Sequence, residues 1–216
     1  MQVYKELKIL TSRPSSSDVK KVRHHLYGFI SVKKNFSTGV WLNIATKKIK
    51  SILKKKKVPI LVGGTGQYLK VLLEGISKIP DIRADIRDEA MILYDRIGAK
   101  KFHAELAKVD IETAKRLSEG DTQRLTRAYE VYLATGIPLS EWYLSAAQIE
   151  PLQADVQSLV FQPPRQELFA ACDRRFEVML GMGVLDEMRR LMEMHLDPSL
   201  PVMKALGVPE LVSHLR

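Results

Sequence analysis

A single cysteine, Cys172, stands among 216 residues, which excludes an internal disulfide and any thiolate-rich zinc site and suits a reducing cytoplasm. No apolar run approaches the roughly 18 residues of a membrane span. The opening MQVYKELKIL also lacks the basic-then-apolar order of a signal peptide. The string G-x-x-x-x-G-K-[ST] occurs nowhere, so a Walker A loop and the nucleotide hydrolysis it supports are not expected. Histidines are few: His24 and His25 are adjacent, and in a strand consecutive side chains diverge, while His103, His195 and His214 stand alone. A metal held by protein ligands is therefore not expected. Acidic residues are scarce in one region only. Residues 1–80 carry 3 Asp/Glu against 17 Lys/Arg, whereas residues 81–216 carry 22 against 17.

What is present describes a globular chain, 45% apolar and 27% charged, long enough for one good-sized core. The net charge of +9 sits in the N-terminal part and favours a polyanionic partner, because clustered cations release counterions from a phosphate backbone. A solvated helix end is the plainer reading of its densest run, Lys54 to Lys57. Trp41 to Leu53 has helical spacing, and Val58 to Val62 is a short apolar run of the kind found in strands buried on both faces. Gly63-Gly64-Thr65-Gly66 follows, then a helical pattern from Gln67 that Gly75 stops. Helix, buried strand, glycine turn and helix predict an α/β parallel sheet. Beyond Pro80 the texture turns helical, and the clearest helix starts on Asp121 as N-cap and closes at Gly136 before Pro138. A further strand is expected over Val156 to Phe161, then a Pro163-Pro164 turn and a long helix on which Phe176 packs inward.

Three segments have chemistry to offer. The glycine turn at 63–66 opens the backbone to an anion that the Thr65 hydroxyl extends, although such turns also serve packing. Gln123 and Arg127 share a polar helix face, with Arg124 one turn from Arg127. Guanidinium groups take phosphates bidentately and stack on bases; the alternative is a solvated face with Asp121 and Glu130 as ion-pair partners. In Arg174-Arg175-Phe176 an arginine stands where it could reach a ligand crevice of the sheet.

In order along the chain, MQVYKELKILTSRPS, HHLYGF, PILVGGTGQYLKVLLEGI, GDTQRLTRAYEVYLATGIPLSEW, RRFEVMLGMGVLDEMRRL and PVMKALGVPEL resemble the tRNA dimethylallyltransferase family over nearly the whole sequence. The resemblance implies a P-loop-NTPase-like parallel sheet core with an all-helical insertion: residues 1–82 and 151–216 as the two parts of the core, and 83–150 as a tRNA-binding insertion. It implies an enzyme that moves a dimethylallyl group from dimethylallyl diphosphate to the N6 amine of the adenine beside the anticodon, assisted by Mg2+. Thr65 would position the target nucleotide. Arg175 would bind the diphosphate and offset the charge growing on it. Met1, Gln2, Arg87, Gln123, Arg124, Leu125, Thr126, Arg127 and the turn Lys204, Ala205, Leu206, Gly207, Val208 and Pro209 would meet the tRNA anticodon arm. A cytoplasmic monomer without membrane association is expected.

The chain also departs from the family. Ala171 stands where many members carry an arginine, and KALGVP lacks an aromatic residue and a further basic one found there in many members. The family's first strand, Walker-A-like loop and general-base Asp would precede Met1, and a basic helical segment would follow Arg216, so a truncated form is expected. Its alternative function is that of an inactive tRNA-binding remnant.

Overall fold

Helical signals dominate the sequence, and the computed structural model, which describes residues 1–34, 36–64, 66–145 and 148–216, is built mainly of helices. In chain order these are α1 (Ser16–Lys21), α2 (Thr38–Leu53), α3 (Gly66–Glu74), α4 (Ala84–Ile97), α5 (Ala99–Val109), α6 (Ile111–Arg116), α7 (Thr122–Thr135), α8 (Leu139–Leu144), α9 (Arg165–Gly181), α10 (Val184–Met192) and α11 (Val208–Leu215). Two short strands, β1 (Ile76–Ser77) and β2 (Gln148–Ile149), pair antiparallel with Ile76 opposite Ile149. The chain divides into a terminal unit, Met1–Leu61 with Ala154–Arg216, and a helical unit, Val62–Gln153.

The helical unit packs α4 to α8 around Phe102, Leu106, Leu125, Ala128 and Val131, all fully buried. Burial of each large side chain contributes about 1.5–3 kcal/mol. Its best-signalled helix, α7, begins where the sequence places it: the Asp121 carboxylate accepts from the Arg124 N–H, and Gly136 in the left-handed region (φ +70°) closes the far end. Asp110 caps twice, accepting from the N–H of Thr113 at 2.9 Å for α6 and of Ser140 at 3.0 Å for α8. An edge-on aromatic series, Tyr94 to Phe102 to Tyr129, has ring centroids 5.2 and 5.1 Å apart. Gly75 (φ +85°) leads into β1 against the Ile149 carbonyl oxygen, which a Cβ there would approach to 2.5 Å.

The terminal unit gathers its core from both ends of the chain. Val3, Tyr4 and Leu7 pack with Val32, Met179 of α9, Val184, Met188 and Leu191 of α10, and Val202, Ala205, Val208 and Leu211. Backbone bonds from Phe29 and Ile30 to the Val3 carbonyl and from Lys5 to the Ile30 carbonyl form a parallel bridge between Tyr4 and Ile30.

That bridge and the β1–β2 pair are the strand pairing among the described residues, and the expected multi-stranded parallel sheet is not seen there. Val58–Val62 and Val156–Phe161 belong to no strand, and Val58 and Phe161 are 84% and 87% exposed. A continuous apolar run marks a segment that a sheet can bury on both faces, but it does not itself supply neighbours to pair with. No described strand lies beside either run, so their backbone groups turn to water. The same reason corrects the reading of Phe176. It is 43% exposed rather than inward, and Met179 is the buried residue of α9.

Candidate functional site

The N-terminal segment is a loop held from within. The Gln2 amide donates to the carbonyls of Thr11 and Ser12 at 2.9 and 3.1 Å, and the Arg13 guanidinium donates to those of Tyr4 and Lys5. The Glu187 carboxylate on α10, 4% exposed, accepts the backbone N–H groups of Lys8, Ile9 and Leu10 at 2.6, 2.8 and 2.9 Å. Three donors converging on one buried carboxylate fix the backbone that carries Met1 and Gln2. Met1 is exposed, while the Gln2 side chain is committed inside the loop.

Glu187 escaped the reading of the sequence. Its signal was a carboxylate within the apolar stripe Val184, Met188, Leu191 of α10, a place where an acid needs partners. Asp110 carries a local signal of its own, since Asp followed by Ile-Glu-Thr is an N-cap pattern.

Thr65 lies outside the described residues. Gly63 and Gly64 before it are exposed, with open space where a Cβ would stand. Arg87 is exposed on α4. On α7, Gln123 and Arg124 are exposed, Arg127 is half-buried, and Leu125 and Thr126 are buried. The Thr126 hydroxyl donates to the Thr122 carbonyl at 2.8 Å. Leu125 and Thr126 thus hold the helix, and the side chains offered outward are Gln123, Arg124 and Arg127. Both arginines have carboxylate partners: Arg124 with Asp121 at 2.9 Å and Arg127 with Glu130 at 3.2 Å.

In the terminal unit, Arg175 is exposed on α9 and forms no ion pair among the described residues. The neighbouring Arg174 lines a shallow hollow with Pro163, Glu167, Leu168, Ala170 and Ala171. Of the turn at 204–209, Lys204, Leu206 and Pro209 face outward, whereas Ala205 and Val208 are buried. Gly207 (φ +90°) makes the reversal, donating its N–H to Glu210 at 3.0 Å. The N-terminal segment, α9 and this turn share one core through Val3, Met179, Val202 and Val208.

No three His, Cys, Asp or Glu groups converge among the described residues, so they do not form a protein-built Mg2+ cage. No described helix is long and apolar enough to cross a membrane.

A family model described as IPP transferase matches residues 2–216. The tRNA dimethylallyltransferase of Rhodospirillum centenum is 45% identical over 216 residues, covering 100% of this chain and 69% of that protein. A second, from Rhodopseudomonas palustris, is 43% identical over 100% of this chain and 67% of its own length. Among solved structures, the tRNA delta(2)-isopentenylpyrophosphate transferase of Staphylococcus epidermidis is similar with a TM-score of 0.57 at 27% identity, over 100% of this chain and 69% of that one.

Proposed function

The chain belongs to the IPP transferase family, and from that premise we propose that it serves tRNA modification, moving a dimethylallyl group from dimethylallyl diphosphate to the N6 amine of the adenine adjacent to the anticodon. The observation that carries this reading is the likeness to tRNA dimethylallyltransferases along all 216 residues. In the transfer, the carbon–oxygen bond to diphosphate breaks, a carbon–nitrogen bond forms at N6, and the amine gives up a proton. Nothing is oxidised or reduced.

Arg175, an exposed guanidinium with no ion-pair partner among the described residues, suits the diphosphate. Its charge offsets the one that grows on the leaving group, an interaction stronger in the transition state than before it. Thr65 is assigned to the target nucleotide. Met1, Arg87, the outward side chains of α7 and the outward part of the turn at 204–209 are assigned to the anticodon arm, with residues 83–150 as the tRNA-binding insertion between the two parts of the core. We place the protein in the cytoplasm as a monomer, which sedimentation of the purified chain checks.

Incubating the full chain with tRNA, labelled dimethylallyl diphosphate and Mg2+ tests the reading. Label on the adenine beside the anticodon is the expected result, and tRNA binding without incorporation would leave a binding protein only. Arg175→Ala should lower turnover by about 100-fold to 1,000-fold, the usual loss for one charge-stabilising donor, and leave tRNA affinity little changed. An unaltered rate would remove Arg175 from the site.

A further inference from the structure

From Val19 to Leu61 there are twelve Lys or Arg and no Asp or Glu. Among the described residues, no salt bridge joins any of those twelve to an acid. The arginines of α7, by contrast, are held by Asp121 and Glu130. A solvated helix face of the ordinary kind looks like α5, α6 and α7, where acids one turn away neutralise the cations. The end of α2 is different.

Its lysine run is not a trailing coil. The Lys57 N–H returns to the Ile52 carbonyl at 3.3 Å and the Lys56 N–H to that of Leu53 at 2.8 Å, which is the paired closure of a helix that ordinarily has glycine at its left-handed position. Here Lys56 occupies that position at φ +55°. A charged side chain thus stands where the backbone conformation suits glycine.

We propose that the C-terminal end of α2, Lys48 with Lys54, Lys55 and Lys56, is a surface that binds an RNA phosphate backbone, separate from the residues assigned above. It rests on the tRNA reading for the identity of its partner. Uncompensated like charges repel one another, and a polyanion relieves that repulsion while releasing its own counterions. An anionic membrane fits less well. Leu42, Ala45 and Ile49 of α2 are buried, and the exposed apolar run that follows the lysines, Val58–Val62, is five residues long and not helical, so no amphipathic helix is offered to lipid.

The test is tRNA binding by the full chain over a series of salt concentrations. Replacing Lys48, Lys54 and Lys55 by alanine should weaken binding by about 10-fold or more and reduce the salt slope by about 2, at roughly 0.7–0.9 per phosphate contact. The triple arginine variant should keep both. Lys54→Glu with Lys55→Glu, at two exposed positions, gives the same loss if the alanine variant folds poorly, and thermal melting separates folding from binding. Equal affinity and slope in wild type and variants would overturn the surface and leave the tRNA reading standing. Binding through these lysines without prenyl transfer would do the reverse. Tighter binding to phosphatidylserine vesicles than to tRNA, lost in the same variants, would overturn the RNA assignment, as would absence of RNA binding by the wild type.

Discussion

Helices α5 to α7 of the helical unit and the stretches 19–61 and 159–161 of the terminal unit treat charge and apolar surface in opposite ways. In the helical unit, Lys108, Lys115, Arg124 and Arg127 each have an acid three residues away, at 2.6 to 3.2 Å, and the large apolar residues close over one another. In the terminal unit, Val19 to Leu61 has cations without acids, and Leu159, Val160 and Phe161 are 78% to 87% exposed. Exposed i,i+3 pairs contribute only about 0.2–0.5 kcal/mol each, so the pairing matters less for stability than for availability. A guanidinium already facing a carboxylate must give up that partner to take a phosphate, and an unpaired lysine need not. The helix read as the RNA-facing element is thus the better neutralised of the two regions.

Removing Glu187 probes the order within the terminal unit most severely. Glu187→Ala leaves three inward N–H groups without an acceptor and should cost about 3–5 kcal/mol, on the scale of hydrogen bonds to a charged group lost from a buried site. Glu187→Gln, which keeps one carbonyl oxygen, should cost less. Urea denaturation of both variants measures this. If Glu187→Ala melts like wild type, the loop at 8–10 is not held as the geometry indicates.

Leu125→Ala and Phe161→Ala set the two units side by side. Leu125 is fully buried among α4, α5 and α7 side chains, and its truncation should cost about 2–5 kcal/mol. Phe161 is 87% exposed, and its loss should stay within about 0.5 kcal/mol. An equal cost for both would mean that Phe161 is covered in solution.

How legible each unit was follows from the same contrast. Helix α7 was readable because its start, stop and apolar stripe are all local: Asp121, Gly136, and Leu125 with Ala128 one turn apart. The paired arginines were legible as an alternative, since i,i+3 spacing alone brings acid and base together. The runs at 58–62 and 156–161 were misread because burial in a sheet depends on non-local partners that an apolar run does not name. Glu187 was missed for a related reason. Its three donors lie about 180 residues away in sequence, and only the oddity of a carboxylate in an apolar stripe pointed to them.

Asp110 is a test of the helical unit that carries a pH signature. Burial pushes its carboxyl upward, but hydrogen bonds from Ser140 and Thr113 outweigh this and leave it below the ordinary carboxylate range. A depressed folded-state value means that the contribution is present above the unfolded value near 4 and lost as pH falls through the folded one. Asp110→Asn, which keeps one acceptor of two, should cost about 1–2 kcal/mol at neutral pH. The difference from wild type should shrink on acidification below about pH 4. A constant difference across that range would remove the charge from the explanation and leave only shape.

One further effect has the opposite sign and bears on why the terminal unit carries its charge where it does. Lys56 sits at φ +55°, where an L-residue is strained and glycine is not, so Lys56→Gly should stabilise the isolated protein by up to about 1 kcal/mol. Part of any gain is offset because glycine loses more freedom on folding. Fewer like charges at the end of α2 act in the same favourable direction. If the run serves only as a helix terminus, the substitution is an improvement without penalty. If it meets phosphate, the more stable variant should bind tRNA less tightly and with a salt slope lower by about 0.7–0.9. Stability and affinity measured on the same preparation separate the two cases, because a merely structural role moves the first alone.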